Sequence, residues 1–221
     1  MMSKRKILLI STLIFALTGC YLPQNFDNQV KISRTGQYQV DVDTDVVGGQ
    51  FIAAQNAAKA KNKPLTANDL QKIFSGCQDE FERTVAIDAK KGKNIVSSKY
   101  LGECRGHLTL RYSGNIIQQK DRFDASVGSG DSGFFIPVEI SYNSKNKAIT
   151  VISKTKPKDK TMQEMFAGFA YNGKLSVKTD GKVILSNADS KPYWGLFGAY
   201  YWSIKDFTTP DAAIQISTTG F

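Results

Sequence analysis

Few side chains in these 221 residues are equipped for chemistry, and their spacing narrows the choice. Ser132 stands in the run Gly130-Asp131-Ser132-Gly133, a setting that exposes a serine for nucleophilic attack. Such a serine needs a histidine base and an orienting carboxylate within hydrogen-bond reach. The single histidine, His107, lies only 25 residues upstream, too little chain for the scaffold that holds such a triad, so the run reads as a glycine-rich loop. His107 follows Gly106 at a strand start and is expected to be an unpartnered surface or half-buried side chain. Asp41, Asp43 and Asp45 alternate along one strand face. They are weak candidates for a cation, because they lack the glycine turn and distal glutamate of a calcium loop. A solvated strand face is the expectation.

One histidine and three cysteines exclude multi-histidine metal sites and a four-cysteine zinc site. No P-loop, G-x-G-x-x-G, H-E-x-x-H or EF-hand spacing occurs. No cofactor is therefore expected, and the chain reads as non-enzymatic. The densest unusual feature is aromatic: Tyr193, Trp194, Phe197, Tyr200, Tyr201 and Trp202 fall within ten residues. Such rings suit a sheet core, and they equally suit a membrane interface or the mouth of a site for an amphiphilic ligand. Both uses stay open on the sequence. Gly195 and Gly198 would let the segment loop before a strand, and a helix over Met162 to Phe169 is placed to cover it.

The N-terminus is an address. Lys4, Arg5 and Lys6 precede an apolar stretch from Ile7 to Leu17 and then small residues, the layout of a secretory signal. The stretch is too short for a stable span of about 20 residues. Its end, Leu17-Thr18-Gly19-Cys20, resembles the bacterial lipobox. The resemblance implies cleavage before Cys20, diacylglycerol on its sulfur and an acyl chain on the new amine, so that the membrane is a partner through acylated Cys20. Two or three chains hold a protein on a bilayer where one chain does so only marginally. Tyr21 stands where inner-membrane retention in Gram-negative bacteria shows an aspartate, which by the same resemblance favours the outer membrane. Residues 1–19 are thus read as signal peptide, 20–28 as a lipidated tether containing Pro23, and 29–221 as the envelope domain. Losing the signal removes three bases and no acid, so the net charge falls from +9 to +6 and a nucleic-acid partner is not expected. With Cys20 assigned to the anchor, Cys77 and Cys104 remain in an oxidising compartment and are expected to form a disulfide.

These residues need a scaffold, and the chain alternates in two registers. Period-two runs mark strands at Val30 to Ser33, at Tyr38 to Val42 and in a hairpin from Phe134 to Ser153; three more are expected between Phe81 and Tyr112. Helices are expected over Gln50 to Lys61, after the N-cap Thr66 with Asp69, and after a capping box at Thr161 and Glu164. Lys120 to Gly133 reads as a mobile loop. Strands at Lys174 to Thr179, Lys182 to Asn187, Gly198 to Lys205 and Ala212 to Ser217 close the chain. The fold class is α+β: one domain with a curved, mainly antiparallel sheet packed by two or three short helices. The run from Gly173-Lys174-Leu175-Ser176-Val177 through Gly181-Lys182-Val183 and Asn187 to Tyr201-Trp202-Ser203-Ile204 resembles the end of LppM-like bacterial lipoproteins. It lacks the C-terminal membrane helix that many of them carry. The resemblance implies helices against a sheet and capture of lipid or glycolipid; docking on an envelope protein partner is the alternative.

Replacing Cys20 by Ser should release the protein from membranes and abolish cleavage at the same bond, as read by membrane pelleting and N-terminal mass. A variant still pelleted and identically processed would remove the lipoprotein reading.

Overall fold

The computed structural model describes residues 21–90, 92–119, 122–127, 135–154, 171–192, 198–206 and 209–219. Eleven strands are named among them. They run β1 (Tyr21–Ile32), β2 (Gln37–Gly48), β3 (Ile95–Gly102), β4 (Arg105–Asn115), β5 (Arg122–Val127), β6 (Phe135–Asn143), β7 (Ala148–Ser153), β8 (Asn172–Thr179), β9 (Val183–Ser186), β10 (Tyr200–Ile204) and β11 (Ala212–Ser217). Between them lie helices α1 (Gly49–Ala60), α2 (Ala67–Phe74), α3 (Cys77–Lys90) and the single turn α4 (Ile116–Gln119). The α+β expectation holds, with the strands divided between two sheets. One is six-stranded in the order β10-β8-β1-β2-β4-β3, the other five-stranded in the order β5-β6-β7-β11-β9. Pairing is antiparallel except between β1 and β8. No described helix is long and apolar enough to cross a membrane.

Strict alternation sets the layers. In β2, Tyr38, Val40, Val42, Thr44 and Val46 are buried, whereas Gln39, Asp41, Asp43 and Asp45 face outward. Their β1 partners obey the same rule, with Val40 opposite Val30 and Asp41 opposite Gln29. The buried face shares one apolar cluster with Val138, Ile140, Ile149, Val151, Ile214 and Ile216 of the second sheet. A smaller cluster joins Leu22, Phe26, Val47 and Tyr171 to Ile52 at the start of α1. Asn28 is fully buried between its neighbours Val42 and Leu175, and its amide has no hydrogen-bond partner among the described residues.

Two segments depart from the sequence reading. Tyr21 to Asn28 is not a tether but the first two-thirds of β1. Pro23 suggested a linker because it lacks a ladder N–H; it sits at the register shift between Pro23 and Phe26, where a bulge absorbs it. Tyr21, Leu22 and Phe26 are all buried. The first strand expected after Phe81 is instead α3. Cys77, Phe81, Thr84 and Asp88 are its buried residues, a spacing of helical period. Phe81 lies against Gly106 of β4, where a β-carbon would collide with its ring. Part of the expected loop over Lys120 to Gly133 is edge strand β5, paired with β6; residues 128–134 and the expected helix over 161–169 lie outside the described residues.

Asn187 joins the two sheets. Its Oδ1 accepts from Trp202 Nε1 of β10 and from the Ala213 N–H of β11, each at 2.8 Å, and its Nδ2 donates to the Asp211 carbonyl at 2.9 Å. At the other end of β11, the turn between β8 and β9 comes close only because Gly181 has no β-carbon, which would lie 2.5 Å from Ile216 Cγ2.

Asn187→Ala strands the buried indole N–H and should destabilise the domain by about 2–3 kcal/mol, read as a lower urea midpoint at unchanged slope. A change below about 0.5 kcal/mol, the ordinary surface value, would show that the staple contributes little.

Candidate functional site

The outward face of the six-stranded sheet carries most of the clustered charge. Register places Asp27 beside Lys174 of β8 and Asp43 of β2, and sets Asp41 opposite Arg111 and Asp45 opposite His107 of β4. His107 is held from both sides: Nδ1 lies 3.0 Å from Asp45 Oδ1 and Nε2 lies 3.5 Å from Asp43 Oδ2. Asn25 Nδ2 donates to the other Asp45 oxygen at 3.1 Å. Arg111 Nε donates to Asp41, and Gln39 Nε2 donates to its second oxygen at 2.7 Å. An open groove of about 650 Å³ runs along this face, lined by Asn25, Asp27, Asp43, Asp45, His107 and Lys174 among others.

The expectation of an unpartnered His107 is therefore corrected. Its partners are 62 and 64 residues away in sequence and meet it only through strand register. The aspartates do form a wet strand face, as expected, but one laced by cross-strand donors. Burial pushes the carboxyls of Asp45 and Asp41 up, and hydrogen bonds outweigh it: from His107 and Asn25 to Asp45, from Arg111 and Gln39 to Asp41. Both end below the ordinary aspartate value. No group of three or more potential metal ligands occurs among the described residues. His107 thus ties β4 to β2 through Asp45, with Asp43 beside its other ring nitrogen. A second charged cluster, invisible in the sequence, lies on the other sheet, where the 7% exposed Glu139 meets Arg122 Nη2 at 3.1 Å and Lys154 Nζ at 2.6 Å.

The aromatic run separates by strand alternation. Tyr193, Trp194 and Phe197 lie outside the described residues. Trp202 is 5% exposed and Tyr200 packs beside it against the core, while Tyr201 points outward, 51% exposed. Trp202 thus serves packing and the Asn187 staple. Edge strand β9 also bares Ile184 (54%) and Leu185 (67%). By contrast the space between α3 and the sheet, bounded by Tyr21, Phe81, Val85, Leu108 and Leu110, is a cavity of about 10 Å³. That is no more than the roughly 10–15 Å³ needed to hold a single water.

Cys77 and Cys104 are bonded, with α-carbons 5.0 Å apart, and tie the start of α3 to the β3–β4 turn. Tyr21 belongs to the same knot: its hydroxyl donates to the Cys77 carbonyl at 2.6 Å, and the Gly48 N–H donates to the Cys104 carbonyl at 2.8 Å. Cys20 itself lies outside the described residues.

A carboxyl held below its unfolded value adds stability above about pH 3.9, and the contribution fades as pH falls toward the folded value. Asp41→Asn with Asp45→Asn should therefore lower the urea midpoint near neutrality and flatten its decline from about pH 5 to about pH 3. An unaltered slope in that window would deny these two carboxyls a part in the acid response.

No protein-family model matches the chain, and no curated protein matches it. Among solved structures, the NMR structure of the folded domain of LppM from Mycobacterium tuberculosis aligns over 90% of this chain and 92% of that one, at 9% identity and a TM-score of 0.44. It coincides with the LppM-like resemblance of the C-terminal strands. At that identity and score the likeness establishes neither kinship nor a shared ligand.

Proposed function

We propose that the protein is a lipid-anchored, non-enzymatic protein of the cell envelope, attached to the outer membrane through acylated Cys20, that binds an amphiphilic ligand at its surface. One observation carries the binding half: Ile184 and Leu185 of β9 and Tyr201 of β10 are large apolar side chains left exposed on two strands that follow one another in the chain. The filled interface beneath α3 argues for that corner over a site between helix and sheet. Rings with a wet edge suit a ligand that is apolar at one end and polar at the other.

A second reading, a subunit docking on an envelope protein, draws on β3. This open edge of the six-stranded sheet carries Val96 at 58% and Leu101 at 49% exposure. Apolar edges of this kind invite strand pairing.

Native mass spectrometry and solvent extraction of the purified acylated protein should show bound lipid, and added phospholipid should raise its melting temperature. Leu185→Ser with Tyr201→Ser should abolish that rise while leaving the unliganded melting temperature nearly unchanged. Absence of both bound lipid and a thermal shift would defeat the amphiphile reading. A stoichiometric crosslinked partner lost on Val96→Ser would favour the docking subunit.

A further inference from the structure

We propose that the α1–α2 hairpin is the surface on which the domain rests against its own bilayer, with the lysines reaching anionic headgroups and the apolar side of α2 entering the interface. The inference rests on the anchoring reading above, and the first observation is where the described chain begins. Cys20 is bonded to Tyr21, so their α-carbons are about 3.8 Å apart. Tyr21 is 3% exposed and pairs with Gly48, the residue before α1. The carbonyl it hydrogen-bonds belongs to Cys77, whose Sγ lies 3.2 Å from the Ile73 carbonyl oxygen in the last turn of α2 and 2.9 Å from Gln50 Nε2 in the first turn of α1. Acyl chains on Cys20 would thus leave the domain at the root of the hairpin, with no linker to let it swing clear.

The second observation is an amphipathic helix that the fold does not use. A capping box between Thr66 and Asp69 starts α2, and Leu70, Ile73 and Phe74 share one side of it. Yet no residue of α2 is buried. Phe74 meets Phe51 at 5.5 Å between ring centroids, and Leu70 and Ile73 remain half-buried. In α1 the buried residues are Gly49 and Ile52, both in the first turn, and beyond Ala53, which packs against the smaller cluster, no residue of that helix is buried.

Charge names the occupant. Across residues 49–76 the hairpin carries Lys59, Lys61, Lys63 and Lys72 against Asp69 alone, and the Asp69 carboxylate is occupied by the Thr66 cap. All four lysines are exposed. An apolar helix side rimmed by lysines matches the boundary between headgroups and acyl chains of an anionic bilayer. Each lysine adds little alone, but the lipid anchor holds all four at high local concentration beside the surface.

The test uses the full acylated chain reconstituted in vesicles of phosphatidylcholine and phosphatidylglycerol containing a headgroup-depth spin-labelled lipid, with a fluorophore on Asn68→Cys in α2 or on Arg34→Cys at the far end of β1. Intact mass reports acylation of Cys20 independently. The expected result is strong quenching at position 68 and little at position 34. At least a threefold loss of quenching at 68 is expected without phosphatidylglycerol, or in Lys59→Glu/Lys61→Glu/Lys63→Glu, with pelleting and melting temperature unchanged. Acylated, vesicle-bound protein that quenches equally at both positions, or that ignores phosphatidylglycerol and the triple substitution, would overturn the inference while sparing the anchor. Crosslinking of position 68 to a second copy or to another protein would also overturn it. Absence of acylation would bring down the anchoring reading and this inference together.

Discussion

The register of β1 is the constraint on which the molecule depends. This strand of 12 residues has β2 along one edge and β8 along the other, and its side chains alternate between core and solvent with few exceptions. A slip of one residue would turn Val30 and Ile32 out to water and press Lys31 and Gln29 into the core. The outward pattern hangs on the same ladder. Asp27, Asp43 and Lys174 are neighbours only because Phe26, Thr44 and Leu175 are inside. Burial on one face thereby determines which charges meet on the other.

Local pattern was enough where one interaction range decided the outcome. The alternation of Tyr38, Val40 and Val42, the Thr66 cap of α2 and the hairpin ending in Ala148 to Ser153 could all be read from a few adjacent residues. The disulfide followed from counting cysteines once Cys20 was set aside. What the sequence concealed was non-local. The helical phase of Phe81, Thr84 and Asp88 was hidden by Thr84-Val85, two β-branched residues that favour strands when judged alone. The grip of Asp43 and Asp45 on His107 is a product of pairing across more than sixty residues. Asn187 is one residue among many in the run that resembles LppM-like lipoproteins, and its use as the joint between sheets emerges only with Trp202 and Ala213 in place.

The candidate surfaces divide by the same logic. Where carboxylates and their hydrogen-bond partners sit on adjacent paired strands, as with Asp41 and Arg111 or Asp45 and His107, they satisfy each other and leave little unspent for a ligand. Where the sheets end, that mutual satisfaction ends too. The exposed apolar side chains of β9, β10 and β3 lie on edge strands, and α2 stands outside the core altogether. The surfaces left open to a partner therefore lie at the margins of the described fold.

The parallel pairing of β1 with β8, the one such pair among the described residues, also bears on how the domain comes to exist. A chain is synthesised N-terminus first, and β1 can zip onto β2 after a turn of four residues. Its other edge stays bare until Asn172 to Thr179 arrive, about 147 positions later in the chain. Contacts of such separation are slow to form. For that interval the central strand shows an unpaired ladder to every other nascent strand nearby, so this architecture places its greatest exposure to misassembly during biogenesis rather than in the finished protein.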